Sequence, residues 1–389
     1  MKPPIPRYLQ TSPYLAIEDF GGRTGSWLRR VGLARLGRSV HDRLSSRRTF
    51  ASPSLLRVIE SCRTPRPAAE LLASPGLSER RLAALVERGV LVDAPEAWRA
   101  TRVAAVEIEI SSHCNWRCVY CPVSREPKPA VSMDLDLFQA ILEKAQAHPP
   151  VRAVHFEAYN EPTLDPHFEE RVRRLAKTRL KLRLYTNGSA LGPAKTDLLR
   201  ETGVLEFVRF NLPAVEEAAF LEMTGSSTFQ QTIRNIDYAR SAGLPVQLSI
   251  QGTREEIRRN SGPLRDRYGS EADRELRGSG AGTPTTDRAG TLRDGRYARG
   301  ARIAGPLGGC HLPLRTVVIG VHGDLYLCCE DFHQKTVFAN IRDGSLEELL
   351  ASPRAQALRR KVFGADPAED DFICRGCVYM DHAVKRVSH

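Results

Sequence analysis

The 389-residue sequence contains no stretch that approaches about 20 consecutive apolar residues, so a membrane-spanning helix is not expected. Its first ten residues, MKPPIPRYLQ, lack the basic start, the apolar block and the small-residue cleavage site of a secretory signal. We therefore expect a cytoplasmic protein. The composition, 41% hydrophobic and 26% charged, is ordinary for a globular chain, and the length allows two or three domains.

The cysteines lack the even count that is typical of a disulfide framework, since there are nine of them. In a long chain without a secretory signal, clustered cysteines are more often ligands of a metal ion or an iron–sulfur cluster. They fall at positions 62, 114, 118, 121, 310, 328, 329, 374 and 377. The groups at 114–121 and 310–377 are therefore candidate cofactor sites.

Acidic residues are scarce near the N-terminus, where residues 1–50 hold ten Lys and Arg against three Asp and Glu, in a chain of net charge +11. Such a basic arm can bind nucleic acid or an acidic peptide. A plain Arg-rich surface is the alternative, and we favour it.

Residues 53–94 predict a small helical module. The segments SPSLLRVIES, RPAAELLA and SERRLAALVERG each read as a short helix, and VLVD follows as a strand. Ser78 is a candidate N-cap, and Gly89 can end the third helix. Three helices followed by a strand are typical of a winged-helix-like module, which binds DNA, a peptide or nothing. A structural cap on the next domain is an equally open reading.

From about residue 103 the pattern changes to alternating strands and helices. Five strands are predicted before residue 253, namely VAAVEIEI, VRAVHFEAYN, LKLRLYTNG, LEFVRFNLP and PVQLSIQG. Such alternation indicates a parallel sheet with helical crossovers, either a partial β/α barrel or an open doubly wound sheet.

The remainder of the chain predicts two further segments. Residues 253–308 are rich in Gly, Arg, Asp and Ser and predict a long surface connection. Residues 309–389 predict a compact cysteine-bearing segment, with a hairpin that turns at His322-Gly323-Asp324. One or two helices are expected in SLEELLASPRAQALRRKVF.

The motif SSHCNWRCVYCPV directly follows a predicted strand, so its three cysteines would lie at the edge where β/α enzymes carry their active sites. Cys114, Cys118 and Cys121 can bind three irons of a [4Fe–4S] cluster, which leaves the fourth iron open to a non-protein ligand. An open iron suits a catalytic cluster. A zinc site that lacks one ligand is the alternative.

At these cysteines, and at the aromatic Tyr120, the sequence resembles the radical S-adenosylmethionine (SAM) superfamily, whose motif is Cys-x3-Cys-x2-Cys. The resemblance implies an α/β fold with a partial (β/α)6 barrel. It also implies that SAM binds the open iron and is cleaved to a 5′-deoxyadenosyl radical, which abstracts a hydrogen from an unactivated carbon. An external one-electron reductant of the flavodoxin or ferredoxin type is then expected.

The segment FEAYNEPTLD resembles the superfamily's glycine–glycine–glutamate segment, which holds the amino group of SAM. Tyr159 and Asn160 replace the usual glycines, whereas Glu161 and Pro162 match. The carboxylate of Glu161 can accept a hydrogen bond from an ammonium group. A polar loop that starts a helix is the alternative.

Asn187 and Asn211 follow the third and fourth predicted strands. Their positions suggest contacts to the ribose or the carboxylate of SAM. Each can equally be a turn residue.

The second cysteine group predicts an auxiliary cluster. Four thiolates, from Cys310, Cys328, Cys374 and Cys377, would fully ligate a zinc ion or a second [4Fe–4S] cluster. The segment resembles the SPASM or twitch extension of radical SAM enzymes, and a short Arg288-Ala289-Gly290 motif precedes it. The further cysteines of the fuller SPASM pattern are absent, so the resemblance implies the smaller twitch type with one auxiliary cluster.

Cys329 is left over by this assignment. The resemblance to twitch-type epimerases implies that a free cysteine can return a hydrogen atom to a substrate radical. Cys329 or Cys62 can play that part. A packed cysteine without a catalytic role is the alternative at both positions.

These expectations divide the chain into four parts: a basic arm with a winged-helix-like module at 1–100, a radical SAM partial barrel at 101–252, a Gly/Arg-rich connection at 253–308 and an auxiliary iron–sulfur domain at 309–389. The expected activity is the oxidation, cross-linking or epimerisation of a natural product. The N-terminal module slightly favours a ribosomal peptide as the substrate. A dehydrogenase or epimerase of a carbohydrate or aminocyclitol is the alternative.

An iron–sulfur regulator that binds DNA is a more distant alternative. Nucleic-acid binding is not expected, because no recognition helix with base-reading residues stands out.

Overall fold

The computed structural model describes residues 5–18, 38–42, 47–73, 77–99, 101–269, 285–292, 295–297 and 300–380. Much of the basic arm expected at 1–50 lies outside these residues. None of the described helices is both long and apolar enough to span a membrane. The described strands form two small antiparallel sheets near the N-terminus and one sheet of eight strands.

The N-terminal part contains the three predicted helices and the predicted strand. Its elements are β1 (Tyr8–Thr11), β2 (Leu15–Glu18), β3 (Arg38–Asp42), β4 (Arg47–Ala51), α1 (Pro53–Ser61), β5 (Arg66–Pro67), α2 (Ala68–Leu72), α3 (Glu79–Glu87) and β6 (Leu91–Asp93). The Ser78 hydroxyl caps α3 by accepting from the Arg81 amide at 3.3 Å, and Gly89 follows the helix with a φ of +69°. The winged-helix assignment itself stays a prediction.

The strands before residue 52 were not expected, because that region shows no clean periodicity. β1 pairs antiparallel with β5 and β6, which lie more than fifty residues further along the chain. Only this long-range pairing makes the segment a strand. Leu9 of β1 packs with Cys62, Leu82 and Leu91 in a small apolar core, which buries Cys62 completely.

The strand–helix alternation predicted for the next part is confirmed. Its elements are β7 (Ala105–Ile108), α4 (Leu135–Ala147), β8 (Ala153–Phe156), α5 (Phe168–Ala176), β9 (Lys181–Thr186), α6 (Pro193–Thr202), β10 (Leu205–Asn211), α7 (Glu217–Thr224), α8 (Phe229–Ser241), β11 (Val246–Ser249) and α9 (Arg254–Tyr268). Strands β7 to β11 are parallel neighbours in chain order. The fold is therefore α/β with a parallel sheet, and the carboxyl ends of these five strands meet at one edge.

A sixth parallel strand comes from the C-terminal part of the chain. The elements there are α10 (Leu312–Arg315), β12 (Thr316–Ile319), β13 (Asp324–Tyr326), β14 (Val337–Asn340), α11 (Leu346–Leu350) and α12 (Pro353–Val362). β12 pairs parallel with β7, and β13 and β14 continue the sheet in the antiparallel sense. The main sheet thus crosses the boundary that we predicted at residue 309.

The hairpin predicted at His322-Gly323-Asp324 is present between β12 and β13. Gly323 has a φ of +91°, a conformation that glycine adopts without strain. The amide of Gly320 donates to the Asp324 carbonyl at 2.9 Å and closes the turn.

The prediction of a long surface connection at 253–308 is wrong in its first part, because α9 (Arg254–Tyr268) lies there. This helix begins with a capping box, in which the Thr253 hydroxyl accepts from the Glu256 amide and the Glu256 carboxylate accepts from the Thr253 amide. Few of its residues are apolar, so the composition suggested a loop. Its buried positions nevertheless follow helical spacing, at Ile257, Asn260, Leu264 and Tyr268. Residues 270–284 lie outside the described part.

A buried ion pair supports the loop after β8. Arg171 of α5 donates to the Asp165 carboxylate at 2.8 Å, and neither side chain is exposed. The guanidinium also donates to the Met133 carbonyl, and the Ser132 hydroxyl donates to Asp165. These bonds tie the β8 loop to the chain that enters α4, at the edge where the predicted site residues lie.

Candidate active site

One cavity of about 260 Å³ lies at the carboxyl edge of the parallel strands. Residues that follow β7, β8, β9 and β10 line it, as do residues 288 and 329 from the C-terminal half. The sheet therefore brings together parts of the chain that are more than 200 residues apart.

Cys114, Cys118 and Cys121 all line this cavity, as the motif predicted. Their loop is held by its backbone, because the amides of Arg117 and Val119 donate to the Thr224 and Met223 carbonyls at 2.8 and 3.0 Å. The geometry of the loop is thus fixed by bonds to the end of α7, and the three thiols remain available as ligands.

The environment of these thiols suits a bound metal centre. Burial, together with the nearby Glu161 carboxylate, raises the pKa of Cys114 to about 12. Burial and the neighbouring Cys121 also raise the pKa of Cys118. The free thiols are therefore protonated at neutral pH, and a positively charged metal centre would stabilise the thiolates.

The described cysteine sulfurs are not arranged as a tetrahedral zinc site requires. A tetrahedral zinc with Zn–S bonds of about 2.3 Å places its sulfurs about 3.8 Å apart. Among the described residues, only Glu107, His155 and Glu157 bring three possible ligand atoms within 4.8 Å of one another. No three of the described cysteine sulfurs lie that close together.

Glu161 organises the loops around the cavity. Its buried carboxylate accepts from the Thr186 hydroxyl at 2.6 Å, from the Asn187 amide at 2.6 Å and from the Thr163 amide at 3.0 Å. Burial raises the pKa of Glu161, and these hydrogen bonds oppose the rise. The side chain ties the loop after β8 to the loop after β9. Its predicted contact with SAM stays a prediction.

The other residues of the FEAYNEPTLD segment divide between the cavity and its support. Tyr159 and Asn160 line the cavity. Pro162 is buried in a short 3-10 turn, Pro162–Leu164, that supports the loop. Ala158 adopts a φ of +97°, a strained conformation for a residue with a side chain. Such strain is found at functional sites, and here the position precedes the residues that replace the usual glycines.

Asn187, Asn211 and Tyr120 also line the cavity. The Asn187 amide group donates to Asn115 Oδ1 at 2.9 Å, and the Asn211 amide group donates to the Tyr120 hydroxyl at 2.7 Å. These bonds fix all three side chains on the wall beside the cysteines.

Oδ1 of Asn160 and Oδ1 of Asn211 are buried in this wall, and neither has a hydrogen-bond partner among the described residues. Buried polar atoms normally find partners, so both acceptors indicate a ligand that donates hydrogen bonds. The ammonium and hydroxyl groups of SAM are such donors. The residues present therefore fit SAM and a cluster held by three thiolates.

The second cysteine group lies in a separate apolar core. Cys310, Cys374 and Cys377 are buried there with Leu307, Val362, Phe372 and Met380, and Cys328 packs against the same core. Burial, followed by the neighbouring Cys377 and Cys310, raises the pKa of Cys374. Four thiols that share an apolar surrounding suit a fully ligated cluster.

Cys329 lies between the two groups. It lines the cavity with the first three cysteines, and the Tyr159 hydroxyl donates to its carbonyl at 2.7 Å. A hydrogen bond between the Cys328 and Cys329 thiols, together with burial, raises the pKa of Cys328. Cys62 lies in the N-terminal core instead, so the structure does not bring it to the cavity.

Several cavity residues were missed by the sequence reasoning. Glu107, Glu157, Tyr185 and Arg209 line the cavity from β7 and the neighbouring strand ends. Charged residues inside or just after buried strands were the available signal. Arg288, singled out only as part of a motif, also lines the cavity and forms an ion pair with Glu330 at 3.0 Å.

Comparison with known families identifies both halves of this arrangement. Residues 108–258 match the family model of the radical SAM superfamily. Residues 310–378 match the family model called SPASM, an iron–sulfur cluster-binding domain.

Two curated proteins illustrate the range of relatives. A tungsten-containing aldehyde ferredoxin oxidoreductase cofactor-modifying protein of Pyrococcus furiosus is 34% identical over 28% of this chain, and the alignment spans only 31% of that protein. An S-adenosyl-L-methionine-dependent 2-deoxy-scyllo-inosamine dehydrogenase of Niallia circulans is 22% identical over 70% of this chain and 91% of its own length.

Among solved structures, Streptococcus suis SuiB, crystallised with its precursor peptide SuiA, matches with a TM-score of 0.53. The identity is 11%, and the match covers 90% of each chain, so this likeness concerns the fold alone. A match over 90% of the chain necessarily extends into the N-terminal 100 residues.

Proposed function

Because the chain belongs to the radical SAM superfamily and carries a SPASM iron–sulfur domain, we propose that it is an enzyme that modifies a ribosomal peptide at an unactivated C–H bond. The observation that carries the proposal is one cavity lined by Cys114, Cys118 and Cys121 together with unsatisfied acceptors on Asn160 and Asn211. The bound cluster and SAM would supply a 5′-deoxyadenosyl radical that abstracts the hydrogen.

The residues of this chain then have separable roles. Cys114, Cys118 and Cys121 hold the cluster, and Asn160 and Asn211 accept hydrogen bonds from SAM. Glu161 positions the loops after β8 and β9 through its bonds to Thr163, Thr186 and Asn187. Tyr120, Asn187 and Tyr159 shape the wall of the cavity.

The auxiliary cluster belongs, in this proposal, to Cys310, Cys328, Cys374 and Cys377. Because four thiolates leave no open iron, this cluster does not bind SAM and can accept an electron from a substrate radical. That role suits a net oxidation. Cys329, which lines the cavity, is a candidate hydrogen-atom donor for a redox-neutral epimerisation.

A peptide substrate is supported by the N-terminal part. Its three helices and its small β1–β5–β6 sheet stand outside the parallel sheet and are not needed to build the cavity. The solved structure of SuiB, which resembles this chain over 90% of its length, was determined with a precursor peptide bound. We propose that the N-terminal module binds the peptide, an electron-transfer protein supplies the reductant, nucleic acid is not a partner, and the cytoplasm is the compartment.

An aminocyclitol is the second candidate substrate. The alignment with the 2-deoxy-scyllo-inosamine dehydrogenase runs over 91% of that enzyme and 70% of this chain. This observation favours a small amine-bearing sugar alcohol, in which case the N-terminal module would be a structural cap.

The test is anaerobic reconstitution with iron and sulfide, followed by dithionite and SAM. We expect about eight irons per chain, as two four-iron clusters require, and release of 5′-deoxyadenosine. A reconstituted protein that carries iron and yields no 5′-deoxyadenosine would contradict an enzymatic role. Mass spectrometry with a candidate precursor peptide and with 2-deoxy-scyllo-inosamine then separates the two substrate classes.

A further inference from the structure

The cavity contains a carboxylate that no described group satisfies. Glu107 lies on β7, lines the cavity and is only 3% exposed. Its Oε1 is buried without a hydrogen-bond partner, and within the described residues Glu107 forms no ion pair. A buried carboxylate oxygen without a hydrogen-bond partner is unfavourable, so this atom indicates a missing ligand.

A second carboxylate lies beside it. Glu157 follows β8, lines the same cavity and is partly exposed. Oxygens of Glu107 and Glu157 lie within 4.8 Å of each other. Two oxygens at N–H···O distances of about 2.9 Å from one tetrahedral ammonium nitrogen would be about 4.7 Å apart. Oxygens no further apart than this can both accept from one protonated amine.

His155 lies within the same distance of both oxygens, so a metal ion must be considered. A guanidinium can only donate, and the Arg183 guanidinium lies 3.3 Å from His155 Nε2. Nε2 must accept that bond, which leaves the proton of the neutral ring on Nδ1. Nδ1 faces Glu157 at 3.7 Å and therefore offers no lone pair to a metal.

The charges around the pair also favour an ammonium. The Arg183 guanidinium occupies Nε2 of His155, so a ligand at this place has only the two carboxylates as partners, and an ammonium can donate to both. Arg288, which also lines the cavity, forms an ion pair with Glu330. Burial raises the pKa of Glu107 and the charge of Arg288 opposes the rise, but no described group donates a hydrogen bond to Oε1 of Glu107.

We propose that Glu107 and Glu157 bind a protonated primary amine of the substrate, so that the substrate class is an amine. This inference rests on the proposed function in that the cavity must be the substrate site. It adds a recognition element that neither the family models nor the relatives assign. The amine belongs to a lysine side chain of a peptide or to an aminocyclitol, since the two share this chemistry.

Binding can be tested without turnover. The probes are cyclohexylammonium and cyclohexanol, which share one ring and differ in carrying a cation or a neutral hydroxyl. We expect calorimetric titration of the reconstituted enzyme at pH 7 to show binding of cyclohexylammonium that is at least about tenfold tighter than that of cyclohexanol. The preference should be lost in Glu107→Gln and reduced in Glu157→Gln.

Glu109→Gln is the matched control. Glu109 lies on the same sheet edge and is equally buried, but it forms an ion pair with Lys128 at 2.9 Å and accepts from Gln334. Its substitution should leave the preference for the ammonium intact. Glu157→Gln keeps the test valid if Glu107→Gln fails to fold, because Glu157 is partly exposed and tolerates change more readily.

Equal binding of the two probes by the wild-type enzyme, or a preference that persists in both variants, overturns the inference. Competition then identifies the source of the amine. Displacement of cyclohexylammonium by 2-deoxy-scyllo-inosamine assigns an aminocyclitol, and displacement by Nα-acetyl-lysine amide assigns a peptide side chain. Equal binding of the two probes by a wild-type enzyme that still forms 5′-deoxyadenosine overturns this inference alone. An intact preference without 5′-deoxyadenosine overturns the proposed function alone.

Discussion

The two cysteine groups differ in number and in surroundings. Three thiols at 114–121 line an open cavity with polar side chains and unsatisfied acceptors. Four thiols at 310–377 lie in an apolar core beside Leu307, Phe372 and Met380. The residue type indicates a cluster at both places, whereas the surroundings indicate what each cluster does. An open iron needs a cavity in which SAM can bind, and a closed one needs only to be held and to exchange electrons.

Loss of one ligand of the first group should have the largest effect. We expect Cys118→Ala to retain about four irons per chain, those of the auxiliary cluster. It should form no 5′-deoxyadenosine, because no open iron remains to bind SAM. Iron analysis and chromatography of the reaction measure both quantities.

Cys62→Ala is the control, since Cys62 lies in the N-terminal core away from both groups. It should keep about eight irons, the full complement of two clusters. SAM cleavage by Cys118→Ala at the wild-type rate would mean that the first group is not the SAM site.

Loss of one ligand of the second group should give the opposite pattern. We expect Cys374→Ala to lose about four irons and to unfold at a lower temperature, because the cluster would link Cys328, which follows β13, to Cys374 and Cys377. 5′-Deoxyadenosine should still form without substrate turnover. If Cys374→Ala keeps both clusters by iron analysis, the four-thiolate assignment is wrong.

The neighbouring cysteines 328 and 329 allow a sharper test. Cys329 lines the cavity and is not needed as a ligand, so Cys329→Ser should keep about eight irons. If it donates the hydrogen atom, product formation in the accepted substrate should fall while 5′-deoxyadenosine still forms. Deuterium incorporation from heavy water into the product measures the step. Unchanged turnover would exclude the hydrogen-donor role.

Glu161→Gln should have the smallest effect of the four. The new amide nitrogen would face the Asn187 amide or the Thr186 hydroxyl, each of which now donates to a carboxylate oxygen at 2.6 Å. Loss of one charged hydrogen bond, about 1.5–3 kcal/mol, predicts SAM binding that is about 10- to 100-fold weaker. Equilibrium dialysis with labelled SAM measures it. Glu169→Gln, on an exposed face of α5, should bind SAM as the wild type does.

The position of a site residue could be predicted from the sequence where the residue stands in a short recognisable motif. The cysteines and the Glu161 segment stand in short motifs, so their place at the strand ends could be predicted. Glu107 could not be assigned, because β7 is buried on both faces and alternation does not reveal which residues face the cavity. The hairpin that contains β12 was predicted, but its parallel pairing with β7 was not, since this pairing joins residues about 200 positions apart.

The most direct test of the central claim is electron paramagnetic resonance of the reduced enzyme with and without SAM. Two clusters should give two overlapping signals, and SAM should shift only one of them, the signal that is absent in Cys118→Ala. The signal that is absent in Cys374→Ala should not respond to SAM. A shift of that second signal, or of neither, would contradict the assignment of an open iron to the three-cysteine group and of a closed cluster to the four-cysteine group.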